Sequence, residues 1–170
     1  MEQYDDAVLN TLAQAMAKKL NQTGSMLTVA ESCTGGWLAK VLTDVSGSSV
    51  WFDRGFVTYS NQSKNEMLDV SITTLEKVGA VSQETVEEMA KGALRNSNAN
   101  FSVAISGIAG PGGGTKDKPV GFVWFAWASL NPNNKVLSVV NSRSQQFTGD
   151  RIMVRRQAVG YALTGLLEQD

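Results

Sequence analysis

Apolar Val8, Leu12, Met16 and Leu20 recur at four-residue spacing between Asp5 and Leu20, with Leu9 and Ala13 beside them. This pattern predicts an amphipathic helix, and Gly24 just beyond it suits a helix end. The run Met26 to Ala30 reads as a short buried strand. It gives way at once to Glu31-Ser32-Cys33-Thr34-Gly35-Gly36 and then to the helical pattern Trp37-Leu38-Ala39-Lys40-Val41-Leu42. Strand, tight turn and helix start follow one another, which places Ser32 and Thr34 near a helix N-terminus, where unpaired N–H groups bind anions. Ser46-Gly47-Ser48-Ser49 marks a loop, and Val50 to Tyr59 mixes aromatic and β-branched residues as a strand does. Asn61 to Leu68 predicts a short helix, and Thr73 with Glu76 has the capping-box spacing of another brief turn. Ser82 opens a helix to about Asn96. Val81 and Val86 have hydrophobic-staple spacing there, and Glu84, Glu87 and Glu88 lie toward its positive end.

Phe101 to Ser106 has a buried-strand pattern and leads into the one glycine-dense loop, Gly107 to Gly114, with the charged tip Lys116-Asp117-Lys118. Val120 to Ser129 and Lys135 to Phe147 predict two strands joined by the hairpin-like turn Asn131-Pro132-Asn133-Asn134. Asp150 is placed to cap a last helix to Glu168. Early alternation of strand and helix predicts parallel strands, and the late hairpin an antiparallel pair. The expected fold is α/β: a three-layer α/β/α sandwich with a mixed, mostly parallel sheet of about five strands. Linkers, repeats and low-complexity tracts are missing, so residues 1–170 are expected to form a single domain.

Composition narrows the function classes. At 170 residues, 42% of them hydrophobic and 18% charged, the chain has the make-up of an ordinary soluble globular protein. Fifteen basic and sixteen acidic side chains leave a formal charge of −1, with no overall basic field for nucleic acid. The longest apolar run, Val120 to Ala128, is about half the ~20 residues needed to span a bilayer. The start, Met1-Glu2-Gln3-Tyr4-Asp5-Asp6, is acidic and no apolar signal core follows it. A cytoplasmic protein without membrane or nucleic-acid partners is expected. Cys33 is the only cysteine, which excludes an internal disulfide and a Cys-rich metal site.

Histidine is absent altogether. If Ser32 is a nucleophile, its proton acceptor must be Lys, Tyr, Glu or Asp. Tyr59 and Lys64 flank the predicted turn Tyr59-Ser60-Asn61-Gln62-Ser63-Lys64, which can bring them to the sheet edge that carries Ser32. A lysine base needs its pKa lowered from ~10.4 to roughly 7–8, about 4 kcal/mol of preference for the neutral amine. Burial or a nearby cation such as Arg54 must supply it. Each residue also has a plainer reading: Ser32 as a helix cap, Lys64 as a solvated charge, Cys33 as a small buried apolar residue rather than a rival nucleophile. Glu31 can serve as acid or base or pair with a cation. Arg143, Arg151, Arg155 and Arg156 suit phosphate contact or a solvated helix face. Neither Gly-rich loop matches a nucleotide fingerprint: no Lys follows Gly35-Gly36 or Gly114 at Walker spacing, and Thr115 breaks G-x-G-x-x-G after Gly110 and Gly112.

Five motifs occur in order: Ala30-Glu31-Ser32-Cys33-Thr34-Gly35-Gly36; Gly55-x-Val57-x-Tyr59-x-Asn61-x-x-Lys64; Gly79-Ala80-Val81-Ser82; Ser106-Gly107-Ile108-Ala109-Gly110-Pro111; and Phe147-x-Gly149-Asp150-Arg151. Over nearly the whole chain they resemble the C-terminal domain family of the competence-damage-inducible protein CinA, and most closely its stand-alone members, the nicotinamide-mononucleotide (NMN) amidohydrolases. The resemblance implies hydrolysis of the NMN carboxamide to nicotinate mononucleotide and ammonia in pyridine-nucleotide recycling, with no metal or cofactor, by a homodimer. It implies Ser32 as nucleophile, Lys64 as base and Tyr59 orienting or relaying. Glu31, Thr34, Gly35, Gly36, Ser106 and Gly107 then contact the substrate, with backbone N–H groups near Thr34 to Gly36 holding the oxyanion and Ser106 assisting. From charge and position alone, Arg143 or Arg151 is expected at the 5′-phosphate. A non-catalytic pyridine-nucleotide-binding module is the alternative reading.

Overall fold

A computed structural model of the protein describes residues 4–131 and 136–169. The predicted turn after Asn131 falls outside the described residues. Among the described residues, five strands form one sheet in the order β2-β1-β3-β4-β5. They are β1 (Leu27–Glu31), β2 (Phe52–Val57), β3 (Phe101–Gly107), β4 (Phe122–Leu130) and β5 (Leu137–Gln146). β1 pairs in parallel with both β2 and β3, while β4 runs antiparallel to its neighbours β3 and β5. All strands but β4 therefore share one direction, the mixed, mostly parallel sheet that the element order predicts.

Among the described residues, six α-helices cover the two faces. Along β1, β3 and β4 the side chains of Leu27, Val29, Val103, Ile105, Val123, Phe125 and Trp127 meet α1 (Asp6–Thr23), α2 (Trp37–Thr43) and α6 (Arg151–Leu167). The alternate residues Ala30, Ala104, Ala126 and Ala128 meet α3 (Asn61–Leu68), α4 (Ile72–Val78) and α5 (Gln83–Arg95). The two-residue period of a strand sorts the side chains between layers, and small alanines on one face let α5 pack close. Where α5 passes α3 the helix carries Gly92; a Cβ there would lie 1.9 Å from the Leu68 carbonyl oxygen.

Two local expectations are corrected. The buried stripe of α1 is Leu9, Ala13, Met16, Ala17 and Leu20, with Val8 exposed. A strict four-residue spacing gains about 40° per step on a 3.6-residue helix, so Val8 rotates out of the face that Met16 and Leu20 share. The Thr73–Glu76 capping box does not form. α4 begins after Ser71, whose N–H donates to Glu88 of α5 (2.7 Å), and the Thr74 hydroxyl donates to the same carboxylate (2.6 Å). A carboxylate from another helix thus replaces the local cap, and Glu88 serves α4. Ser82 and Asp150 cap α5 and α6 as predicted, accepting from the Thr85 and Met153 N–H groups.

The topology fixes where chemistry can occur. From β1 the chain crosses through α2 on one face to β2, then returns through α3–α5 on the other face to β3 on the opposite side of β1. The first crossover leaves the C-terminal end of β1 and the second that of its neighbour β2, onto opposite faces, which makes these adjacent strand ends a switch point of the kind at which open α/β sheets hold ligands. The residue after β1 is Ser32.

Candidate functional site

Ser32 is fixed by the sheet: its N–H donates to the Ile105 carbonyl (2.9 Å), and its own carbonyl accepts from Gly35 N–H (3.1 Å). The chain then turns tightly through Gly35 (φ 61°) and Gly36 (φ 92°), left-handed conformations that favour glycine. From the other layer, α3 delivers Lys64. Ser60 starts this helix with a capping box to Ser63, so Lys64 lies one turn inside it and its side chain runs back toward the strand ends. Lys64 Nζ lies 3.1 Å from Ser32 Oγ and donates to the Thr58 carbonyl at 2.8 Å.

The Lys64 side chain is 1% exposed, and no carboxylate pairs with it among the described residues. Removal of the ammonium from water pulls its pKa from 10.5 to about 8, with nearby Cys33 acting in the opposite direction. Burial thus supplies the shift that a lysine base needs. Arg54 does not: on β2 it pairs with Asp53 and donates to the Asn96 carbonyl.

On the other side of β1, the buried Glu31 carboxylate accepts three N–H bonds from the start of α2: Gly36 (3.0 Å), Leu38 (3.1 Å) and Ala39 (2.8 Å). The protein's own carboxylate thereby fills the helix N-terminus that looked like an external anion site. Two expectations change with it. Glu31 is spent inside the fold rather than on a ligand, and the Gly35 and Gly36 N–H groups already have acceptors. Among the described residues, Cys33 and Thr34 are the positions in this turn whose N–H groups donate to no other residue. The Cys33 side chain points into the core, where burial, reinforced by Glu31, pushes the thiol up to about 12. A thiol so held is a packing residue. The buried hydroxyls of Thr34 and Thr58 have no hydrogen-bond partner.

Around this centre the remaining predicted residues divide. Tyr59 is exposed and does not join Lys64. Its hydroxyl accepts from Arg151 (2.7 Å), which also donates to the Gly110 carbonyl (2.7 Å). Arg151 therefore ties the Tyr59 turn to the glycine-dense loop. Ser106 is buried at the end of β3, its hydroxyl donating to the Ala80 carbonyl (2.7 Å), which brings the Gly79-Ala80-Val81-Ser82 motif to the same sheet edge. Gly107 follows it; a Cβ there would lie 2.6 Å from Val123 Cγ2. Arg143 is not brought in. The register Glu31–Ile105–Phe125–Arg143 puts it three strands from β1, roughly 14 Å at ~4.8 Å per strand. It pairs there with Glu168 at the far end of α6 (3.4 Å).

One neighbour of this centre escaped the residue-by-residue reading, and another was considered there only for phosphate contact or a solvated helix face. The Thr58 carbonyl is main chain and carries no side-chain signal. Arg155 donates to the carbonyls of Cys33 (3.1 Å) and Thr34 (2.9 Å) and lies over the Trp37 ring, 5.4 Å from its centroid. Its four-residue spacing from Arg151, which puts both on one face of α6, was the available signal. Among the described residues no cluster of three or more His, Cys, Asp or Glu side chains is arranged to hold a metal ion, and no helix is long and apolar enough to cross a membrane.

Comparison with known proteins bears on this arrangement as a whole. The model of the CinA C-terminal domain family matches residues 9–169. The nicotinamide-nucleotide amidohydrolase PncC of Escherichia coli (strain K12) is 51% identical over 164 residues, which make 96% of each chain. The protein of the same name from Pseudomonas putida is 49% identical over 160 residues, 94% of this chain and 96% of its own. Among solved structures, the competence/damage inducible protein CihA from Agrobacterium tumefaciens superposes with a TM-score of 0.88 at 42% identity, covering 95% of this chain and 96% of that one.

Proposed function

The chain belongs to the CinA C-terminal domain family, and on that premise we propose that it hydrolyses the carboxamide of NMN to nicotinate mononucleotide and ammonia, with Ser32 as nucleophile and Lys64 as its base. The observation that carries the reading is the 3.1 Å approach of a buried lysine amine to a serine hydroxyl in a chain without histidine. The activity is the one named for relatives that share half the sequence.

The neutral amine has two N–H groups and one lone pair. One N–H is held by the Thr58 carbonyl, which turns the lone pair toward Ser32. As the Ser32 oxygen bonds to the amide carbon, its proton passes to Nζ. The carbonyl oxygen takes the charge and is met by the N–H groups of Cys33 and Thr34, in place of the Gly35 and Gly36 groups that the sequence suggested. Collapse breaks the C–N bond while the Lys64 ammonium protonates the departing nitrogen, which leaves as ammonia. Water then attacks the acyl-Ser32 ester, giving one proton to Lys64, and Ser32 recovers that proton as the carboxylic acid departs and ionises to the carboxylate, its proton passing to the released ammonia or solvent.

Arg151 is the better placed of the two phosphate candidates, since it borders the site loops through Tyr59 and Gly110 whereas Arg143 lies at the far end of α6. Tyr59 then acts by positioning Arg151, and the single-domain, homodimeric organisation implied by the family belongs to the same proposal. Incubating purified protein with NMN, without added metal, and assaying both ammonia and nicotinate mononucleotide tests the reading. Formation of both in equal amounts supports it. NMN binding by calorimetry with neither product formed overturns it in favour of a binding module.

A further inference from the structure

Arg155 is a half-buried cation that makes no ion pair among the described residues. Its side chain comes from α6, on the layer opposite Lys64, and donates Nε–H to the Cys33 carbonyl and Nη2–H to the Thr34 carbonyl. Trp37 lies under the guanidinium plane, and Gly35 leaves room beside it, since a Cβ there would lie 3.4 Å from Nη2. The planar fork of Arg suits such a paired contact, and an ammonium cannot copy it.

In a planar trans peptide the C=O and N–H point in opposite directions. The Cys33 carbonyl shares its peptide with the Thr34 N–H. Holding that carbonyl against Arg155 therefore aims the Thr34 N–H away from α6, toward the layer from which Lys64 approaches Ser32. This N–H is also one of the two in the turn that donate to no other residue among those described. The cation does more than set direction: positive charge on a peptide oxygen polarises the unit and strengthens its N–H as a donor. The Thr34 carbonyl, which also accepts from Trp37 N–H (3.2 Å), is the second anchor of the same loop.

We infer that Arg155 is a positioning residue for catalysis: it orients and polarises the Cys33–Thr34 peptide so that the Thr34 N–H stabilises the oxyanion formed when Ser32 attacks. The inference rests on the deamidase reading above. It gives Arg155 a task that requires no contact with substrate, in contrast to the phosphate contact considered for Arg151.

The test is steady-state kinetics on NMN for the wild type, Arg155→Ala and Arg155→Lys, with pH profiles. Loss of a whole oxyanion donor costs about 10²–10³ in kcat, and loss of its alignment is expected to cost ~10–100-fold in Arg155→Ala with KM little changed. The kcat/KM midpoint set by Lys64 should stay near its wild-type pH. Guanidinium added at millimolar concentration should restore part of the lost kcat. Arg155→Lys keeps the charge and the fold but not the fork, and should fall between the two. A merely structural role predicts otherwise: kcat falling in step with the folded fraction, no rescue, and a midpoint drifting upward as water reaches Lys64. That pattern overturns the inference, as does wild-type kcat in either variant. If the wild type itself releases no ammonia, the deamidase reading falls and the inference with it; an active wild type with an equally active Arg155→Ala sinks the inference alone.

Discussion

Between pH 6 and pH 9 the hydrolysis rate at low NMN concentration is expected to follow the neutral fraction of Lys64. With a pKa of about 8, that fraction is about 1% at pH 6, about 9% at pH 7 and about 90% at pH 9. A solvated lysine with pKa ~10.4 would be neutral only about 0.04% of the time at pH 7, so burial raises the competent fraction roughly 200-fold. A continuous ammonia assay across buffers of constant ionic strength should show log kcat/KM rising with slope close to one and levelling above pH ~8. The same burial has a thermodynamic signature. The unfolded chain keeps the Lys64 proton up to ~10.4, whereas the folded chain releases it near 8. Between those values the folded state binds fewer protons, so stability must rise with pH, by about 3 kcal/mol for the full shift. Urea titrations at pH 7 and pH 10 should show this rise in the wild type relative to Lys64→Met, where the group is gone. A flat rate profile, or a midpoint at pH 10 or above together with identical pH-stability curves for the two proteins, would refute the reasoning.

Three further outcomes follow from the geometry. Glu31→Gln should lose about 3 kcal/mol of stability in urea unfolding, because one amide oxygen cannot serve three N–H groups and its NH₂ would face them; unchanged stability would contradict the capping role. Cys33→Ala should retain turnover, and the wild-type thiol should react with a disulfide reagent only after denaturation, since it is buried and pushed up to about 12; rapid native-state labelling would count against the core placement. Gly92→Ala, a change that typically gains up to ~1 kcal/mol in a helix, should here destabilise by about 2 kcal/mol or more, as its Cβ would meet the Leu68 carbonyl at 1.9 Å; a raised melting temperature would contradict that packing.

The parts of the fold legible in the sequence were those governed by local signals. Ser82 and Asp150 advertise helix starts because their caps are made to residues three positions on. The run Met26 to Ala30 advertises a buried strand, and the order of elements gives the direction of β4 and β5. Val8 was placed on the wrong side of α1 because four-residue spacing departs slowly from the helical period. The Ser71 end of α4 was unreadable because Glu88, its partner, is fixed by tertiary packing.

The site shows the same division. Ser32 and Lys64, thirty-two positions apart, could be nominated from the absence of histidine and the family resemblance, but only the crossover from β1 through β2 to α3 brings them together. Glu31 looked like a ligand contact because its donors, main-chain N–H groups at the start of α2, have no sequence identity. The same blindness hid the Thr58 carbonyl. Arg143 and Arg151 looked equivalent by charge, and strand order separates them.

Ser32→Ala tests the central claim most directly. The variant should remain folded and bind NMN, while ammonia and nicotinate mononucleotide release fall by at least ~10⁴-fold, as for loss of a serine nucleophile elsewhere. Turnover near the wild-type rate in the folded variant would contradict a Ser32-centred mechanism.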